Sequence, residues 1–193
     1  MVIFDSVPKT TIKGEIEMRP IKHFKLITYH RWLVFKLCCK IGEPWRGFTH
    51  DLSKYSPTEF WEGAKYYTGK HSPINEAKID KGYSEAWLHH KGRNKHHSEY
   101  WYDKSAPETT PVMPYKYSAE MICDKLAAGM AYMGKDFTKE YELEYWNKEK
   151  SRMHVNPKME KFVTEVLTEV AENGIDKTLT KNNIKSIYEK YCK

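Results

Sequence analysis

The chain has no C-x-x-C pair among its four cysteines, Cys38, Cys39, Cys123 and Cys192. A structural zinc ribbon therefore lacks its ligands. It has no apolar run of bilayer length: the most apolar stretch, Trp32 to Cys39, is short and interrupted by Lys36, which argues against a membrane protein. It has no block of five or more like charges and no Arg-rich or Gly-rich arm, which argues against nucleic-acid binding. No stretch alternates apolar and polar residues for long, so strands are not expected. There is no internal repeat and no low-complexity segment. A secretory signal is also missing, and Cys38 and Cys39, in an apolar helical run, are expected to be buried free thiols. A reducing cytoplasm is the compartment these features predict.

What is present suits one folded domain. The 193 residues are 40% hydrophobic with six Trp, enough for a substantial core. Many aromatics (Trp61, Tyr66, Tyr67, Trp87, Tyr100, Trp101, Tyr102) cluster near the histidines and are expected to pack the core and its rim. The net charge of +6 fits an anionic small molecule or an acidic partner.

Periodicity divides the chain into helices. Residues 1–19 read as an irregular lead-in. Helical spacing of Phe24, Ile27, Leu33, Val34 and Leu37 predicts a helix over Ile21 to Lys40, with His23 and His30 on nearly one face. Gly42, Pro44 and Gly47 should then break the chain. Ser56-Pro57-Thr58-Glu59 is a capping-box signature opening a helix to about Thr68. A helical stretch from Ile74 to His90 is interrupted near Gly82, and Gly92-Arg93-Asn94 offers a bend. Pro107, Pro111 and Pro114 make 103–114 a loop, either a lid beside the site or a plain connector. Tyr117 to Met133 is a strong helix ended by Gly134, with further helices at about 138–150, 157–173 and 181–192. The fold class is all-α, one helical bundle, with a core over 20–135 and the 136–193 helices packed on it.

The chemistry-bearing residues centre on His50-Asp51. Composition alone would supply about 0.3 such adjacent pairs, so the dipeptide needs company. Imidazole and carboxylate hold hydrolytic metal ions, and an activated water needs an open coordination position. His30, His50, Asp51 and Asp124 could supply four ligands, and the second oxygen of Asp51 could bridge to another ion. That ion would draw on the histidines at 89–97. The stripe Ala86, His90, Asn94, His97 and Trp101 favours His90 and His97, with His89 and His96 as the other pair or in a supporting role. Asp124 lies amid Met121, Ile122, Leu126 and Ala127, where a half-buried carboxylate needs a metal or a partner such as Lys125 or Lys54. One of the histidines, or Glu120 on the same face as Asp124, could shuttle protons. Lys54 or Arg93 could offset phosphate charge. His23, His71 and His154 are assigned to packing or surface roles.

His30, the run HDLSK at 50–54, the downstream histidines and CDKLAAG at 123–129 resemble the HD-domain superfamily. The longer strings HDLSKYSPTEF, HHKGRNKHHSEYW and EMICDKLA are also similar to an uncharacterised family of small bacterial and phage proteins. The HD resemblance covers about residues 20–135. It implies an all-helical, metal-dependent protein with His30, His50, Asp51 and Asp124 as ligands and Lys54 near a substrate phosphate. This chain departs from it in placing four additional histidines within nine residues. The expected activity is phosphohydrolysis of a nucleotide or other phosphate ester, with one or two divalent ions (Mn, Fe, Zn, Co or Mg). A di-iron oxygenase on the same fold and a non-catalytic metal clamp or ligand sensor are the alternatives. A homo-oligomer is compatible with the helices beyond 138.

Overall fold

The computed structural model describes residues 18–69 and 71–193. The expected lead-in over 1–19 lies, apart from Met18 and Arg19, outside the described residues. Pro20 opens α1 (Pro20–Lys40), where its missing N–H is harmless and its φ already suits a helix. The buried residues His23, Ile27, His30, Val34 and Leu37 recur at three- and four-residue steps, so both histidines face inward.

Pro44 and Gly47, expected as breakers, instead lie within a short helix, α2 (Pro44–Thr49), with proline again at its start. A Cβ on Gly47 would stand 2.8 Å from Phe35 Cα and 2.7 Å from Cys38 Cβ. Only glycine lets α2 lie this close to α1. Arg31 of α1 then binds the end of α2, its Nε donating to the His50 carbonyl at 2.7 Å and its Nη2 to the Phe48 carbonyl at 2.8 Å. His50 is thereby fixed at the helix exit.

Ser56 caps α3 (Pro57–Lys65), accepting the Glu59 N–H at 3.4 Å; the helix stops at Lys65, short of the expected Thr68. The predicted stretch from Ile74 to His90 is two helices, α4 (Pro73–Lys81) and α5 (Glu85–Lys91), divided at Gly82 with φ 80°. Glu62 braces the start of α5, accepting the Ser84 hydroxyl and, at 3.1 Å, the Ala86 N–H. Then come α6 (Tyr115–Met133), α7 (Tyr141–Glu149), α8 (Pro157–Asn173), the single turn α9 (Ile175–Thr178) and α10 (Lys181–Cys192).

These ten helices, with no strand among the described residues, form an all-α bundle. Its core joins Leu33, Val34 and Leu37 of α1 to Ile122 and Leu126 of α6, and onward to Trp146, Phe162, Val166 and Ile184. The segment 103–114 is irregular, as expected. Asn156 Nδ2 donates to the Thr110 carbonyl at 2.7 Å and Tyr188 Oη to the Met113 carbonyl at 2.7 Å. These ties fasten its C-terminal part to the start of α8 and to α10. Cys38 is buried as expected, but Cys39 is exposed, because it falls one position off the inward face of α1. No described helix is long and apolar enough to cross a membrane.

Candidate metal centre

Five imidazoles and two carboxylates from five segments meet beside α6. His30 comes from α1, His50 and Asp51 from the exit of α2, His90 from α5, His96 and His97 from the turn after it, and Asp124 from α6. His30 Nε2 stands 3.0 Å from Asp124 Oδ1. His50 Nε2 lies 3.2 Å from Asp51 Oδ2 and 3.3 Å from Asp124 Oδ1. Across Asp51, its Oδ1 lies 3.3 Å from His90 Nε2 and 3.5 Å from His96 Nε2, while His97 Nε2 is 2.9 Å from His90 Nε2. Asp51 therefore belongs to two donor groups and turns a different oxygen to each.

The backbone at Asp51 makes that possible. With φ 49° and ψ 32° it is left-handed, the one non-glycine positive φ among the described residues. Aspartate enters this region more readily than most side chains. A 3-10 turn, Leu52–Tyr55, follows at once and brings Lys54 Nζ to 2.8 Å from Asp51 Oδ2.

Behind the imidazoles stand two buried carboxylates. Glu120 Oε1 lies 3.0 Å from His50 Nδ1 and 3.3 Å from His96 Nδ1. Glu59 accepts from His90 Nδ1 at 2.7 Å and from His89 Nδ1 at 2.6 Å. A ring that donates Nδ1–H to a carboxylate keeps a lone pair on Nε2, and the carboxylate fixes the ring's direction.

Nε2 of His30, His50 and His96 and both oxygens of Asp51 are buried without a hydrogen-bond partner. Several nonetheless lie near 3 Å from one another or from Lys54. Within each donor group the ligand atoms lie within 4.8 Å of one another, close enough to share one ion. Leaving a buried polar atom unmet costs roughly 1–3 kcal/mol. A divalent ion with ligand bonds of ~2.0–2.2 Å sits among donors spaced about 3 Å apart. The residues fit such an ion.

The charges agree with that donor set. Burial pushes the Asp51 carboxyl up, but His50, His90 and Lys54 overrule it and hold it well below the usual range. Asp124 is likewise held well below, by His30 and His50 against its own burial. Burial keeps His30 and His97 below the ordinary imidazole value. His50 goes the other way: burial is outweighed by Asp51, Asp124 and Glu120, so a metal there would displace a proton. Asp51 and Asp124 hold the Lys54 ammonium above its usual range despite burial. The margin open to solvent is formed by Asp124 and Lys54, whose side chains are 18% and 26% exposed, against 1% for Asp51.

The model of a family of unknown function, DUF5662, matches residues 19–169. The chain belongs to that family. No curated protein and no solved structure matches it. The DUF5662 span includes every donor named above, while α10 lies beyond it.

Within this DUF5662 chain, the structure brings together His30, His50, Asp51, His90, His97 and Asp124. It adds His96, which sequence spacing placed second. Because α5 stops at Lys91, no continuous helical face carries these histidines; His90 and His97 meet across the bend instead, and His96 enters from the same turn. His89 stays outside, held by Glu59. Glu120 stands behind the donors: Oε1 faces His50 and His96 while Oε2 accepts Arg46 Nε at 2.8 Å and Arg46 Nη2. Arg93 is exposed, donates to the His89 carbonyl at 3.4 Å, and has no carboxylate partner among the described residues, so it does not touch Asp51 or Asp124. Asp124 pairs with His30 rather than with Lys125 or Lys54. His23 packs on Phe60 and Gly63, His71 is exposed, and His154 stacks on Tyr102 at 4.0 Å. Glu59 went unnoticed because the capping-box reading had already given it a role; the Ser56 N–H it would have served donates to the Ser53 carbonyl at 2.8 Å.

Proposed function

We propose that the chain is a metal-dependent phosphohydrolase of the HD type, acting on a nucleotide or other phosphate ester. The observation that carries this reading is the set of buried Nε2 and Asp51 oxygen atoms, without hydrogen-bond partners, that belong to two donor groups sharing Asp51. A divalent ion supplies a water of lowered pKa and polarises a phosphoryl oxygen. Asp51 holds both donor groups in register. Glu120 and Glu59 aim His50, His96 and His90. Lys54, at the solvent-open margin, offers an ammonium to an incoming phosphate while balancing Asp51. The net charge of +6 favours an anionic substrate.

The test is metal content by elemental analysis on protein purified without chelator or nickel resin, followed by turnover on a panel of phosphate esters. The parent should carry one or two divalent ions per chain and release phosphate. Asp51→Asn, which keeps the left-handed backbone accessible, should carry little metal and turn over nothing. Equal metal in the parent and Asp51→Asn would falsify the reading. The imidazole-rich donor set also favours a di-iron oxygenase. Two irons per chain with oxygen consumption and no phosphate release would decide for it.

A further inference from the structure

Glu120 has a second face. Its Oε2 and the Arg46 guanidinium bound to it form one wall of a pocket of about 280 Å³, lined also by Thr49, Arg93, Asn94, Lys95 and Tyr117. Three cations surround this space, and its one carboxylate is already engaged by Arg46, His50 and His96. Neither Arg93 nor Lys95 has a carboxylate partner among the described residues. The Tyr117 ring is covered by Arg46 at 4.7 Å and Lys95 at 5.8 Å, so it offers no free face for a nucleobase. The volume is just under the ~300 Å³ at which pockets for drug-sized ligands begin.

We propose that this pocket binds the phosphate group of a small anionic effector through Arg46, Arg93 and Lys95, at a site separate from the metal centre. Two guanidinium forks and an ammonium lining one pocket match the oxygens of a phosphoryl group. A bare dianion balances the two cations that lack partners. The pocket adjoins the metal centre through Asn94, whose Nδ2 lies 3.1 Å from His90 Nδ1, and through Glu120, whose other oxygen faces two of the imidazoles. Phosphate held here therefore sits against the carboxylate that aims His50 and His96. The proposal stands on this pocket alone and does not need the hydrolase reading.

The experiment is an amide NMR titration of the purified chain with inorganic phosphate, at ionic strength held constant with chloride. Three proteins are compared: the parent, Arg93→Ala/Lys95→Ala and Asp51→Asn. In the parent, the amides of Arg46, Arg93 and Lys95 should move along a saturating curve. The double substitution at the pocket should weaken that binding about tenfold or more while metal content stays at the parent level. Asp51→Asn should keep it, because the pocket does not use the metal ligands. Unmoved amides at 93–95, undiminished affinity in the double variant, or loss of the curve in Asp51→Asn would each overturn the proposal. A parent without metal but with the saturating curve would fail the previous reading and leave this one standing.

Discussion

Glu59 accepts from two successive imidazoles, one on each oxygen, and this division decides what His90 can do. A carboxylate can accept from both Nδ1–H groups, whereas an amide in its place must turn its NH2 toward one of them. Glu59→Gln should therefore flip or loosen one ring and weaken metal binding at the His90 group by about 10–100-fold. Competition with a chelator of known affinity measures this, with thermal unfolding as the check on folding. A second buried acid behaves differently. Glu142 on α7 has its carboxyl raised to about 7 by burial, with the Asp124 charge adding and Lys125 opposing. The folded state thus holds a proton that the unfolded chain releases near 4.5. The stability this contributes is complete below that pH and is lost as the pH rises through about 7, a change of at most ~3 kcal/mol. Glu142→Gln should be more stable than the parent at pH 8 by about 1–3 kcal/mol, and the gain should shrink as the pH falls toward 4.5. Urea unfolding across that range gives the comparison.

At the scale of elements, the centre depends on how close α2 lies to α1. Gly47 has the Phe35 backbone and Cys38 directly against it, so Gly47→Ala must push the two helices apart. A cost of about 1–3 kcal/mol is expected, and metal content should fall as well, because His50 is tied to the exit of α2 through Arg31. The urea midpoint and bound metal measured on the same sample test both halves. The helices that carry His30 and Asp124 were legible from apolar periodicity, and the adjacency of His50 and Asp51 marked the element between them. Helix α2 was not, since proline and glycine signal a break locally, and only the packed partner shows that here they open a helix and permit a contact. His96 was ranked second for a related reason. Heptad spacing is informative only where the helix continues, and α5 ends at Lys91. The role of Glu120 depended on Arg46, 74 residues away in sequence, which no local pattern reports.

Across the whole molecule, the donors run from His30 to Asp124 and tie α1, the exit of α2, α5, the turn after it and α6 to one place. The core joining α1 and α6 to α8 and α10 holds the same helices from the other side. A metal bound to the folded chain alone stabilises it by about 2.7 kcal/mol at one hundred times its dissociation constant. For a chain of this size, chelation should lower the melting temperature by about 5–10 °C, while circular dichroism remains helical because the core survives. Calorimetry with and without chelator checks the shift. The left-handed backbone at Asp51 has a further consequence for how this protein can change over time. Among the other residues, glycine and asparagine adopt that conformation most readily, and neither carries a charge. Glutamate restores the charge but neither the reach nor the backbone. Position 51 therefore has no conservative neighbour: a lineage that moves to glycine or asparagine there keeps the backbone and loses the shared carboxylate in one step, with no graded intermediate between.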